Sequence, residues 1–180
     1  NHLIEIDYQK KNIILYKSSI IKLNDDYIHS KIEINNDRPY IFLKTKLENS
    51  EFDLKLLFDT GLGDGLWLFE NDSIICNSNY FTDYLGKGLS GDIYGKKSRI
   101  EQVSIATNIL TNVLVAYPEV IFFDKYSTIQ NRNGLLGGEV IKRFNWIIDY
   151  KRQMIYFKKN NLFYKPFNYN MSGIEVQHSG

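Results

Sequence analysis

The feature that most constrains the fold is a succession of short apolar segments, each ended by turn-forming residues. Residues 3–8, 13–16, 19–23 and 31–34 are examples, and charged or Asn-containing breaks separate them. Segments of about four to eight residues have the length of β-strands, whereas helical patterns usually run for about ten residues or more. Short strands spaced regularly along 180 residues predict a single all-β barrel or sandwich.

Two longer stretches predict hairpins, and one predicts a helix. Residues 40–47 and 52–58 flank a polar turn, and residues 86–95 carry four glycines before alternation resumes at 100–105. Glycine accommodates the sharp turns and close approaches that such hairpins need. At 137–144 the apolar residues instead recur at helical spacing, which predicts one short helix ahead of a last hairpin.

Charge and cysteine content exclude several classes of function. The chain has 22 Lys and Arg against 21 Asp and Glu, a formal net charge of +1, so it lacks the positive field that nucleic-acid binding requires. No apolar run approaches the roughly 18 residues of a membrane-spanning helix. One Cys and three scattered His give no metal-ligand spacing. The sequence therefore predicts no nucleic-acid partner, no membrane span, no metal and no cofactor.

One motif carries chemistry. Asp59-Thr60-Gly61 directly follows the apolar residues of 54–58, so a carboxylate stands at the end of a buried strand on a tight turn. Two carboxylates held together in a partly desolvated site split their proton affinities, and one stays protonated while the other ionises. Such a pair deprotonates a bound water and protonates an amide carbonyl oxygen. Thr60 is expected to brace the loop, and Gly61 lets backbone N–H groups approach the carboxylate.

The same three residues also have an ordinary structural interpretation. An Asp beside Gly commonly caps a turn through its own side chain. A match of three residues also occurs by chance in chains of ordinary composition. The motif alone therefore leaves both interpretations open.

Two further features follow the motif in a specific order. They are the glycine-bearing hairpin at 86–95 and the sequence Gly134-Leu135-Leu136-Gly137, which leads into the short helix. This order resembles that of the retropepsin-like aspartic proteases, in particular bacterial single-lobed members with N-terminal strand extensions. The resemblance implies an all-β, closed acid-protease barrel of one lobe with one short helix. It divides the chain into an N-terminal strand extension at 1–39, a protease domain at 40–160 and a C-terminal linker at 161–180.

The resemblance also implies roles for individual residues. Asp59 is similar to the catalytic aspartate, and Thr60 and Gly61 to the rest of its loop. The glycine of Leu135-Leu136-Gly137 is expected to pack beneath that loop. The remaining assignments are substrate contacts from the loop and from the flap hairpin: Leu62, Asp64, Gly88, Gly91 and Tyr94. The alternative interpretation of Asp64 is an exposed turn residue. The alternative for Gly88, Gly91 and Tyr94 is an ordinary surface hairpin.

A second carboxylate is needed, and the chain contains a single D-T-G and no D-S-G. The resemblance implies that two chains meet about a two-fold axis, each giving Asp59, so a homodimer is expected. The expected partner is a peptide or protein substrate that binds as an added strand. Relatives of this kind are usually exported, which implies a periplasmic or cell-surface location. Residues 166–180 resemble a linker to a peptide-binding PDZ module.

Two residues depart from the family pattern, and they keep other functions open. Leu62 is bulky where Ala or Ser is usual, and Gly63 removes a hydroxyl that holds the carboxylate. One alternative is therefore a catalytically impaired protease fold that binds peptides or acts as a scaffold. A second is a small all-β interaction domain whose D-T-G is coincidental.

Overall fold

The structure is a computed structural model that describes residues 3–17, 23–47, 50–88, 91–119 and 132–169. Several predicted features lie partly or wholly outside these ranges: the strand at 19–23, the tip of the glycine hairpin, the loop at 124–133 and the tail. Within the described ranges, no helix is long and apolar enough to cross a membrane.

Twelve strands and one short helix make up the regular structure of the described residues. In chain order they are β1 (Leu3–Asp7), β2 (Asn12–Tyr16), β3 (Ile28–Asn35), β4 (Arg38–Leu47), β5 (Ser50–Phe58), β6 (Leu66–Leu68), β7 (Phe81–Gly88), β8 (Gly91–Ile105), β9 (Asn108–Pro118), β10 (Gly134–Leu136), α1 (Gly138–Ile141), β11 (Phe144–Asp149) and β12 (Met154–Lys159).

The strands form one sheet that closes on itself. Their order is β2-β1-β11-β12-β3-β4-β5-β10-β6-β9-β8-β7, with an additional pairing between β4 and β8. That pairing, in which Thr45 lies opposite Val103, joins β4, β5, β10, β6, β9 and β8 into a closed ring. The predicted all-β barrel with one short helix is confirmed.

Apart from β7, which pairs with β8, the strands outside the ring form an extension beside it. β1 pairs with β11, β11 with β12, and β12 with β3, all antiparallel. The N-terminal strands are therefore part of the same sheet as the barrel. At the far edge, β2 pairs with β1, and its residues are almost all exposed.

A large apolar core fills the barrel, and an aromatic group lies where the barrel meets the extension. Phe58 packs edge-on against Trp146 with ring centroids 5.0 Å apart. Trp146 in turn contacts Phe144 and Phe157 at 5.2 Å each, and its indole N–H donates to the Ile141 carbonyl oxygen at 2.7 Å. The last residue of β5 is thereby fixed by the core.

A smaller apolar group lies apart from this main core. It consists of five buried residues, which we call the minor cluster: Tyr40, Leu57, Trp67, Ala116 and Leu135. Its members come from the ring strands β4, β5, β6, β9 and β10. Strands with apolar side chains on both faces are expected where a sheet has material packed on either side.

The chain after β12 packs on the barrel through a buried arginine. The Arg143 guanidinium is almost fully buried and donates to the carbonyl oxygens of Leu162, Phe163, Lys165 and Pro166. Its Cζ atom also lies 3.6 Å from the ring centroid of Phe167. The first part of the predicted linker, up to residue 169, is thus held against the barrel, while the domain bounds themselves stay a prediction.

Candidate active site

Strand β5 carries Asp59 to the edge of the barrel. The Asp59 backbone N–H donates to the Leu136 carbonyl oxygen at 2.9 Å, and Leu136 pairs with Phe58 in the parallel β5–β10 ladder. Phe58 is held by the main core. Position 59 is therefore fixed from both sides, at the point where the strand ends.

The Asp59 carboxylate is half-buried, and it turns onto its own loop. Its Oδ1 atom accepts the Gly61 backbone N–H at 2.9 Å. A Cβ atom at Gly61 would lie 3.3 Å from that oxygen, so glycine gives the close approach. This is the turn-capping contact that Asp is known for. The Oδ2 atom has no hydrogen-bond partner among the described residues and is available for other chemistry.

The loop from Gly61 to Gly65 is held from beneath by the start of α1. The N–H groups of Gly137, Gly138 and Glu139 donate to the carbonyl oxygens of Gly65 (2.9 Å), Leu62 (2.7 Å) and Asp64 (3.2 Å). A Cβ atom at Gly137 would lie 2.2 Å from the Asp64 carbonyl oxygen. Gly137 therefore packs beneath the D-T-G loop as the resemblance implies.

Asp64 has an intramolecular partner that the sequence analysis missed. The Trp67 indole N–H donates to Asp64 Oδ2 at 2.6 Å, and the Trp67 ring belongs to the minor cluster. One hydrogen bond thus links the loop to a member of the minor cluster. The assignment of Asp64 as a substrate contact stays a prediction.

The two departures from the family pattern are placed differently. Leu62 is half-buried and packs against the minor cluster, so its bulk fills space next to the loop. Gly63 is exposed, and a Cβ atom there would have no neighbour within 4 Å. A side chain at position 63 is therefore sterically allowed, and no close contact requires glycine there.

The β7–β8 hairpin covers the minor cluster with side chains that the sequence analysis did not select. Leu85 and Ile93 pack against the cluster. Tyr94 lies on the other face of β8, exposed, with its ring 5.5 Å from that of Tyr84. The substrate role predicted for Tyr94 stays untested, and Ile93 is the neighbour that faces the barrel.

The two hairpin glycines lie at its tip. Gly88 pairs with Gly91 in the ladder, and Gly91 adopts a φ of +124°, a conformation that favours glycine. A Cβ atom at Gly88 would lie 2.9 Å from the Ile93 side chain. Position 91 therefore favours glycine through its backbone conformation, whereas a side chain at position 88 would have to displace only the end of the Ile93 side chain.

Other reactive groups are not brought to the site. Cys76 is buried in the main core, and burial, followed by the nearby Glu70 carboxylate, raises the pKa of its thiol to about 11. A thiol with such a pKa is protonated and inert at neutral pH. In the described part of the chain, no three His, Cys, Asp or Glu side chains gather as metal ligands. The expectation that the site uses no metal stays a prediction.

The signal for the minor cluster was present in the sequence but ambiguous. Residues 54–58 are apolar at alternate positions and then continuously, so the strand was expected to be buried. The structure divides them between the two groups: Leu54, Leu56 and Phe58 lie in the main core, and Leu57 lies in the minor cluster. A continuous apolar run at a strand end is the pattern of burial on both faces.

Comparisons with known proteins give a likeness to solved structures. No family model matches the chain, and no curated protein matches it. Among solved structures, the chain is similar to a retropepsin-like aspartic protease from Rickettsia conorii, with 18% sequence identity and a TM-score of 0.45. The match covers 72% of this chain and 97% of that one. At this identity the likeness concerns the fold alone.

A pair of Gly to Ala variants tests how the loop is held. We expect Gly137→Ala to lower the free energy of unfolding by about 2 kcal/mol or more, because the added methyl meets the Asp64 carbonyl oxygen and must displace the backbone. Gly63→Ala adds the same methyl in open space and is expected to change stability by less than about 0.5 kcal/mol. Urea unfolding of both variants measures the difference. Equal stabilities would show that Gly137 does not support the loop.

Proposed function

We propose that the protein is an aspartic endopeptidase. It hydrolyses peptide bonds with a water held between two Asp59 carboxylates, one from each chain of a homodimer. The observation that carries the proposal is the position of Asp59, on a loop fixed by the parallel β5–β10 pairing and by the glycines before α1. Its Oδ1 atom is oriented by the Gly61 N–H, which leaves the second oxygen for water or for a partner carboxylate.

The chemistry requires both carboxylates in different protonation states. Two carboxylates at short distance share one proton, because ionising both places like charges together. The ionised Asp59 takes a proton from the water as the water oxygen attacks the carbonyl carbon. The protonated Asp59 of the second copy gives its proton to the carbonyl oxygen, which yields a neutral tetrahedral diol. Breakdown of this diol breaks the C–N bond as a proton reaches the leaving nitrogen, and no covalent intermediate with the enzyme forms.

The substrate is proposed to be an extended peptide between the Asp59 loop and the β7–β8 hairpin. An extended peptide binds along a strand edge through its backbone, with alternate side chains entering pockets. The minor cluster is buried beneath the hairpin. The half-buried residues packed on it, Leu62, Leu85 and Ile93, supply the apolar surface. A large apolar side chain next to the scissile bond fits this surface best.

A second copy of the chain is proposed to bind beside Thr60. A groove of about 620 Å³ lies between the N-terminal hairpin and the barrel, and Thr60 and Ile13 are both among its lining residues. The adjoining edge strand β2 exposes Ile13 and Leu15 by 72% and 65%. Exposed apolar side chains on a strand edge are normally covered by a partner. A copy that reaches the Asp59 loop about a two-fold axis also reaches this groove.

A catalytically impaired, peptide-binding protein is the second candidate. Two observations favour it: Leu62 occupies space against the minor cluster, and the Asp64 side chain is bonded to Trp67. Such a protein would retain the apolar surface and the hairpin but would lack turnover. The location outside the cytoplasm and the continuation into a PDZ module are proposals from the resemblance alone.

Substitution of the carboxylate separates the two candidates. We expect the parent protein to cleave peptides from a diverse mixture between acidic and neutral pH, and Asp59→Asn to lose at least about a thousandfold in kcat/KM, because the amide neither accepts the water proton nor shares one. Mass spectrometry of the products gives the cleavage sites. Circular dichroism checks that the variant is folded. Cleavage that persists in Asp59→Asn would refute the protease proposal, and binding without cleavage by the parent would favour the second candidate.

A charge on the groove tests the dimer. We expect Ile13→Lys to weaken self-association by about tenfold or more, because it places a charged group where an apolar contact is proposed. Ile75→Lys makes the same change at another exposed isoleucine (63% exposed) that does not line the groove, and it is expected to leave association unchanged. Sedimentation velocity over a concentration series measures both. Equal dissociation constants for the two variants would exclude this face as the interface.

A further inference from the structure

An unpaired arginine lies at the edge of the minor cluster. Arg132 precedes β10, and Asn133 fixes its position through three hydrogen bonds. The Asn133 backbone N–H donates to the Lys55 carbonyl oxygen at 2.8 Å, its Oδ1 accepts the Lys55 N–H at 2.8 Å, and its carbonyl oxygen accepts the Phe69 N–H at 2.9 Å. The backbone at Arg132 is therefore anchored between β5 and the end of β6.

The Arg132 side chain lies over an aromatic ring next to the minor cluster. Its Cζ atom lies 5.7 Å from the ring centroid of Phe69, and Phe69 packs against the minor cluster. Burial, and secondarily Arg38, lowers the pKa of Arg132, while Tyr40 and Asp59 act in the opposite direction. The contact with Phe69 thus places the guanidinium beside the minor cluster.

Arg132 is half-buried, and its buried Nε–H group lacks the partner that such a donor normally has. Its Nε atom is buried without a hydrogen bond, and it is the one buried side-chain nitrogen or oxygen so found in the described ranges. No described carboxylate forms an ion pair with Arg132. Leaving a buried donor unpaired is unfavourable, more so when it belongs to a charged group.

The neighbouring cation is already neutralised. Lys55 lies on the same side of the sheet, with its Nζ atom 5.1 Å from the ring centroid of Tyr40. That Nζ atom also forms an ion pair with Glu33 at 2.7 Å. Arg143, the other buried arginine, is bonded to carbonyl oxygens. Arg132 is therefore a cation beside the minor cluster whose hydrogen-bonding capacity is unused.

The planar guanidinium matches one ligand chemistry especially well. Its N–H groups form a fork that binds a carboxylate in a bidentate manner, and such bonds are stronger at a partly desolvated site. We propose that Arg132 forms a subsite for the carboxylate of a Glu or Asp side chain in the bound peptide. The proposal rests on the proposed function and makes acidic peptides the substrate class. Arg132 binds the acidic residue of the peptide, and the apolar side chains at the minor cluster contact a neighbouring peptide residue.

Paired peptides that differ by Glu or Gln at one position test the proposal. We scan that position through the residues on either side of the cleavage site and measure kcat/KM. The parent is expected to prefer Glu over Gln by about tenfold at one position, and Arg132→Gln is expected to reduce this to about twofold or less. Lys55→Gln removes a charge from the same side of the sheet and is expected to keep the preference. Arg132→Lys keeps the charge without the fork and should be intermediate.

Two results would overturn the proposal. One is a parent that cleaves Glu and Gln peptides equally at every position. The other is a preference for Glu that Arg132→Gln retains. Thermal unfolding shows whether this variant is folded, and no loss of stability is expected because it removes an unsatisfied buried donor.

A binding assay separates this proposal from the proposed function. Fluorescence anisotropy of labelled Glu and Gln peptides with the Asp59→Asn protein requires no turnover. If the parent cleaves nothing but Asp59→Asn binds the Glu peptide about tenfold more tightly, and Arg132→Gln in that background loses this difference, the protease proposal fails and the subsite stands. Equal affinities for the two peptides overturn the subsite whatever the catalytic result.

Discussion

The insertion of β10 between β5 and β6 is the constraint on which the candidate site depends. This strand has three residues, and each forms a parallel pair with β5 and an antiparallel pair with β6. The same short segment then enters α1, whose first N–H groups hold the loop that follows β5. The backbone of β10 and the start of α1 therefore fix the Asp59 carboxylate, the loop that follows it and the adjacent minor cluster. Movement of β10 would displace all three together.

The main core and the minor cluster lie on different sides of the Asp59 loop's supporting strands. The main core contains the aromatic contacts around Trp146 and holds Phe58, the residue before Asp59. The minor cluster is small, lies under the β7–β8 hairpin and is bordered by half-buried residues. The main core thus positions the loop, and the minor cluster lies beside the proposed substrate site.

The sequence predicts the strands, the hairpins and the single helix because their signals are local. Alternation in 40–47, the glycines of 86–95 and the helical spacing after Gly137 all depend on nearby residues. The roles of the D-T-G motif and of Gly137 beneath its loop were predicted from the order of the motifs along the chain. That order is specific, whereas each motif alone is not.

The remaining parts of the site depend on strands that are distant in the chain. Trp67 reaches Asp64 within one loop, yet nothing in the spacing shows that the indole points toward the carboxylate. The minor cluster joins five strands, so no local pattern identifies it. Arg132 looks like an ordinary loop arginine in the sequence. Its burial follows from Asn133, which bridges to Lys55 on β5 and to Phe69 after β6.

The proposed mechanism requires each chain of a dimer to supply half of the active site. Parent and Asp59→Asn proteins are mixed at constant total concentration, allowed to exchange subunits, and assayed for peptide cleavage. If both carboxylates of a dimer are needed, activity follows the square of the parent fraction, and an equal mixture retains about one quarter of it. A linear dependence, with about one half retained at equal mixture, would contradict the account because each chain would then act alone.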